Sequence, residues 1–408
     1  MNPLLPFEWI VALRFMRQAR MQTVLIVSGV ALGVSVIVFI SALISGLQNN
    51  LFRRTLDFQA QIVILPPTEV ARPLHISNSM MSATVIQPRA QRLQSVDQWQ
   101  KVRIQVARMK DVMVVAPVVS GSGLILRGDA SKAITLTGIE LDSYLKLIAL
   151  SKKIISGTVK LASTDMLIGI DLAKDLGVSI GDKLNLQTAT GGSATLTVCG
   201  IFDFGNRGQN SRAVFVTLRT AQNLLDLSGG VTSLEVNLIA PFQAENMAQV
   251  IKAQTGLEVQ SWITSNAQFF NALAAQSMSN TIIRFFVGLT AALGIASVLV
   301  VSVVQKSKEI GILRATGTSR MQILRLFLLQ GALMGLMGSL IGAGVGWLFL
   351  NVWRGVAKNA DGSPIFIINF DPMLFVYAAL GATLVGTLAA LFPALQAARL
   401  DPAGAIRG

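Results

Sequence analysis

Four stretches of this sequence run without a charged side chain for longer than a bilayer needs: Met21 to Phe52, Phe285 to Gln305, Leu326 to Trp353 and Pro372 to Ala398. A helix requires roughly 20 predominantly apolar residues to cross about 30 Å of hydrocarbon. Lipid offers no partner for backbone polar groups, so such runs must satisfy their own hydrogen bonds as helices. We read four transmembrane helices, over 21–50, 281–305, 322–353 and 372–396. The 408 residues are 52% hydrophobic and 13% charged, too apolar for an ordinary soluble enzyme. Arg14, Arg17 and Arg20 ahead of the first run resemble the basic region of a signal peptide. The apolar core behind them far exceeds a signal-peptide core, which favours an uncleaved anchor.

Lysine and arginine in short loops set orientation. Arg14, Arg17 and Arg20, then Lys306, Lys308, Arg314, Arg320 and Arg325, then Arg399 and Arg407 place three segments in the cytoplasm: 1–20, 306–321 and 397–408. The loop 354–371 carries only Arg354 and Lys358, offset by Asp361 and Asp371, and is expected outside. Arg53, Arg54 and Arg284 argue weakly the other way. The excess of 34 basic over 21 acidic residues is then partly topogenic, and no aromatic-rich basic patch points to nucleic acid.

Residues 51–280 would lie outside the cytoplasm, enough for one large domain or two lobes. Short or alternating apolar runs read as strands: Gln61 to Leu65, Ala133 to Ile139, Lys183 to Thr188, Ala194 to Phe202, Ala213 to Leu218 and Ser233 to Leu238. Helical patterns cover Ser95 to Lys110, Ile170 to Leu176, Thr220 to Leu227 and Phe242 to Gln254. Pro66 to Gln94 reads as a long loop or arm. Ser265 to Asn280 is helix-compatible and leads into the second span. The fold class is an α-helical membrane protein with a large α+β extracytoplasmic domain inserted between transmembrane helices 1 and 2. An amphipathic helix on the inner surface is expected over 1–20, from Trp9, Ile10, Leu13 and Met16 set among the arginines.

Reactive chemistry is sparse. A lone Cys199 cannot form an internal disulfide and reads as a small buried hydrophobe. A lone His75 cannot build a zinc site or a triad. Gly381 to Thr387 has the two glycines of a phosphate loop without its lysine, inside a membrane run. No acidic residue interrupts the spans to relay protons. The chain is therefore expected to bind no cofactor itself, and its driving force to come from outside it.

Between the second and third runs stands KSKEIGILRATGTSR, Lys306 to Arg320. It reads as the end of the second span, a break at Gly317 and a restart capped by Thr318 or Ser319. Ile310 and Leu313 share a face, flanked by Ile312, with Lys306, Lys308, Glu309 and Arg314 polar. Two readings fit: a loop that only fixes topology, or an amphipathic knob that docks in a partner's groove. In the third span Gly331, Gly335, Gly338, Gly342 and Gly346 recur at four- and three-residue steps, leaving one face nearly bare for close helix packing. Gly29 and Gly33 give the first span a smaller version.

Glu309-Ile-Gly-Ile-Leu-Arg-Ala-Thr-Gly317, followed by Phe327-Leu-Leu-Gln-Gly331 and the glycine ladder, resembles the signature of the MacB/FtsX-like ABC transporter permease superfamily. The ending Phe392-Pro-Ala-Leu-Gln-Ala-Ala-Arg-Leu-Asp-Pro402 is similar to that family's terminal pattern. Gly169 to Gly177, Ile180 to Leu184, Gly200 to Asp203, Thr220 to Leu225 and Ser261 to Asn271 resemble segments of the lipoprotein-releasing branch. The resemblance implies a permease subunit without its own ATPase site, paired with a second permease subunit, identical or not. A separate cytoplasmic ABC ATPase would bind ATP and Mg. Glu309, Ile310, Gly311, Ile312, Leu313, Arg314 and Gly317 would form the coupling element. The rod from Ser265 through Gln305 would pass its motion to an outer domain of two lobes, one discontinuous (Asp57 to Asp129 with Gly230 to Trp262) and one inserted. The implied task is release of lipoprotein or lipid-like cargo from the inner membrane to a periplasmic carrier. Two alternatives stay open: export of drugs, peptides or glycolipids with a membrane-fusion partner, and a non-transport relay that activates an extracellular enzyme.

Overall fold

The computed structural model describes residues 7–67, 93–357 and 372–400, apart from the side chains of residues 53, 54 and 57. His75, nearly all of the expected arm, most of the loop 354–371 and most of the tail lie outside the described residues. The chain divides into two compact units, Met1–Phe52 with Asn271–Gly408, and Arg53–Phe270.

The first unit is helical. Among the described residues four helices are long and apolar enough to cross a membrane: Arg20–Phe52, Ala267–Gln305, Arg320–Val356 and Pro372–Ala398. The first continues to Phe58. The second begins at Ala267 rather than Ser265, because the short helix Trp262–Ser265 ends at Asn266, whose side chain donates back to the Trp262 carbonyl at 2.7 Å. The fourth breaks at Ala390, close to Pro393, whose ring cannot donate to the preceding turn.

Helix Phe7–Gln18 precedes the first span and buries Ala12, Phe15 and Met16. Phe15 meets Phe327 of the third span with ring centroids 6.4 Å apart. Trp9, Leu13, Arg14 and Arg17 remain exposed. The core of this unit joins Phe15 and Met16 to Val30, Val34 and Val38 of the first span, Ile295, Leu299 and Val303 of the second, Leu326 and Phe327 of the third, and Ala394 and Ala397 at the end of the fourth.

The second unit is α+β. Its strands are β1 (Ile62–Leu65), β2 (Val112–Arg127), β3 (Ala130–Ile139), β4 (Ile154–Gly157), β5 (Asp165–Gly169), β6 (Lys183–Thr188), β7 (Ser193–Phe202), β8 (Ala213–Thr217), β9 (Ser233–Leu238) and β10 (Glu258–Ser261). The order is β10-β1-β9-β2-β3-β8-β5-β7-β4, and β6 joins β2 to β7. That last pairing closes β2, β3, β8, β5, β7 and β6 into a ring, and β10 and β4 stay as the terminal strands of the sheet. The long β2 serves both parts: Val112–Val118 pairs with β9, and Gly123–Leu126 pairs with β3 on one side and β6 on the other. One hydrogen-bonded sheet thus joins the strands of segments 57–129 and 230–262 to those of the segment between them.

Pro117 stands inside β2 without breaking it. The neighbouring Val118 carbonyl accepts from the Thr232 N–H at 3.0 Å, so Pro117 turns its missing donor to the opposite side. There the ladder with β3 begins only at Val118. Aromatic packing fills the interior, with Phe202, Phe204 and Phe215 at centroid distances of 4.6, 5.3 and 6.1 Å.

Candidate functional site: the coupling helix

Lys306 leaves helical geometry at φ −104° and ψ 16°, and a separate helix, Ser307–Ala315, follows the second span. No glycine or proline stands at that break. The Lys306 ammonium lies 4.2 Å from the Phe15 ring centroid, donates to Gln18 and reaches Glu309 at 3.5 Å. A cation over an aromatic face is attracted by the ring's quadrupole, so the N-terminal helix holds the corner where the second span ends. Gln22 donates to Gln305 at 3.4 Å beside it.

The far end closes as the sequence suggests. Gly317 has φ +104°, a conformation that favours glycine. Ser319, of the two candidates, caps the third span: it accepts from the Gln322 N–H while Gln322 accepts from the Ser319 N–H, a capping box.

The faces of this helix differ from expectation. Ile310 is 0% exposed and Gly311 is buried, while Leu313 packs partly buried against the same core. Ile310 and Leu313 therefore hold the helix to its own bundle and are not the face open to a partner. Ile312 is, at 55% exposed, with Glu309 and Lys308 also outward. Periodicity groups residues on a face but does not say which face the bundle covers. Arg314 turns inward instead of outward. Its guanidinium donates to the Ala398 carbonyl at 3.3 Å, an acceptor that the terminal helix Leu391–Ala398 leaves open at its C-terminus, and to the Leu400 carbonyl just beyond that helix at 2.5 Å. Sequence reasoning missed this link, since only tertiary folding brings residues 314 and 400 together.

The glycine face of the third span is divided between two neighbours. A Cβ on Gly331 would lie 2.5 Å from the Gly386 carbonyl oxygen, and one on Gly335 would lie 2.4 Å from that of Ala382, both on the fourth span. On Gly338, Gly342 and Gly346 it would press on Val30, on the Ala31 carbonyl at 2.4 Å and on the Ser35 carbonyl at 3.2 Å, all on the first span. Gly33 lies against Val287 of the second span, whereas a Cβ on Gly29 would meet nothing within 4 Å among the described residues.

In the α+β unit, Cys199 is partly buried with its thiol donating to the Met166 carbonyl at 3.3 Å, and burial pushes that thiol up to about 11. It is a structural residue rather than a nucleophile. Among the described residues no group of three His, Cys, Asp or Glu side chains is placed to hold a metal.

Two family descriptions match this chain: the MacB-like periplasmic core domain over residues 23–254 and the FtsX-like permease C-terminal region over 281–402. The chain belongs to the MacB/FtsX-like ABC transporter permease superfamily. Within it, the chain is similar to the lipoprotein-releasing system transmembrane protein LolC of Neisseria meningitidis, at 24% identity covering 94% of each chain. LolC of Xylella fastidiosa (strain Temecula1) is 25% identical over 98% of this chain and 99% of its own. LolE of Haemophilus influenzae is 24% identical over 92% and 91% respectively. The periplasmic region of MacB from Actinobacillus actinomycetemcomitans aligns with 53% of this chain and 95% of its own at 15% identity and a TM-score of 0.35.

Proposed function

We propose that this chain is a permease subunit of a lipoprotein-releasing ABC transporter in a bacterial inner membrane. The observation that carries the reading is likeness over nearly the full length to permeases named for that task. Both termini face the cytoplasm, and the α+β unit lies on the periplasmic side. A separate ATPase subunit binds ATP and Mg and grips the outward face of Ser307–Ala315 through Ile312. A second permease subunit completes the membrane unit, and a periplasmic carrier receives the cargo.

Movement of the coupling helix reaches the spans by two routes. One is its covalent continuation into the second and third spans. The other is the Arg314 bridge to the end of the fourth. The second span, Ala267–Gln305, is about 58 Å long at 1.5 Å per residue and exceeds the bilayer core, so it carries that displacement towards the periplasmic unit. Reconstitution tests the reading: vesicles holding this chain, its permease partner and the ATPase should pass a triacylated lipoprotein to a soluble carrier only when ATP is added. ATP-driven export of a soluble peptide or drug with no lipoprotein release would overturn it.

A further inference from the structure

The helical unit contains a cavity of about 220 Å³ between the first, second and fourth spans. Its walls are aliphatic, with Val34, Ile37, Val287 and Val385 among them, and two polar side chains, Arg284 and Tyr377, complete the lining. Arg284 stands about 31 Å along the helix from Gln305, which puts it at the opposite edge of a 30 Å hydrocarbon layer from the coupling helix. Its guanidinium donates to the Ser41 hydroxyl of the first span at 2.6 Å. That is one of five available donors, and among the described residues no carboxylate pairs with its charge. Tyr377 lies near the start of the fourth span, which runs in the same direction as the second, and each of the two is the first lining residue on its span, so both polar groups mark the same end of the slot.

From Arg284 down to Ile295 the lining covers about 16 Å, and from Tyr377 to Val385 about 12 Å. One leaflet of hydrocarbon is about 15 Å deep. The slot therefore has the depth of one leaflet, an apolar interior and a cation at headgroup level. We propose that it holds one acyl chain of an anionic glycerophospholipid from the leaflet distant from the coupling helix, with the lipid phosphate on Arg284. A charge inside or at the edge of a span is costly without a partner, and the phosphate supplies it. The phosphate distinguishes this ligand from a triacylated lipoprotein, whose lipidated end carries none. Gly288 and Gly381 line the slot with nothing within 4 Å of a Cβ, so a leucine at either position has open space to enter.

The site does not depend on the transport reading and is tested without ATPase or cargo. Native mass spectrometry of the full-length chain in detergent, given equal dioleoylphosphatidylglycerol and dioleoylphosphatidylcholine, should show one retained lipid with about fivefold preference for the glycerol lipid. Arg284→Gln should erase that preference. Gly288→Leu and Gly381→Leu should lower retention of both lipids at least fivefold with unchanged thermal unfolding; either variant suffices if the other misfolds. Equal retention of the two lipids by the wild type would overturn the proposal. So would wild-type retention in the folded leucine variants, or displacement of the lipid by a triacylated lipopeptide that binds regardless of Arg284.

Discussion

Replacing Gly342 by alanine probes the contact on which the helical unit rests. The added Cβ would sit 2.4 Å from the Ala31 carbonyl oxygen and 2.9 Å from the Val34 Cβ. Both are parts of the first span that no side-chain rotation can clear. Ordinary contact begins near 3.4 Å, so the first and third spans must part by about 1 Å. A gap of that size forfeits roughly a quarter to a half of each van der Waals well along the seam. Overpacking of this kind costs about 1–3 kcal/mol. Alanine also gains about 1 kcal/mol over glycine in helix preference, so a control must carry the same gain. Gly344 is on the same helix, exposed, with nothing within 4 Å. Gly342→Ala should unfold below Gly344→Ala by the full overpacking cost, read as thermal unfolding of the detergent-solubilised chain. Equal midpoints would refute close packing between these spans.

Two further outcomes follow from single side chains. Part of Glu235 reaches the surface, but its carboxyl is surrounded by protein and burial raises it to about 7. Because the folded state then holds a proton that the unfolded state releases above about 4.5, stability falls between pH 4.5 and 7 by about 3 kcal/mol from this group. Glu235→Gln should remove that fall when unfolding of the α+β unit is followed at pH 5 and pH 8. Arg314→Gln should keep the ATPase bound and hydrolysing but lower cargo release severalfold, because the bond to the end of the fourth span is lost. Unchanged release per ATP would show that this bridge carries no motion.

The spans were legible because charge in lipid is so costly that its absence over long runs has one structural reading. Strands β6 and β9 were legible from short apolar runs bounded by turn residues, and both match the expected ranges. β2 was missed since Pro117, Gly121 and Gly123 resemble a turn, and only its neighbours show that the proline's bare side meets no ladder. Ring closure through β6 is a non-local pairing that no local pattern encodes. At the candidate site, Gly317 and Ser319 announced the helix break through backbone chemistry. The break at Lys306 depends on Phe15 and Gln18, which are remote in sequence. The inward turn of Ile310 has the same origin, since its cover comes from the surrounding bundle helices.

Co-purification of the ATPase subunit with Ile312→Asp tests the coupling account most directly. Burial of that isoleucine in a partner's groove would contribute about 1.5–3 kcal/mol, and a buried aspartate would add its own desolvation cost. Ile312 is exposed in this chain, so the substitution should leave membrane insertion and thermal unfolding unchanged. ATPase recovery from the same membranes should fall at least tenfold, the equivalent of about 1.4 kcal/mol. Wild-type recovery with Ile312→Asp would contradict the docking of an ATPase on this helix.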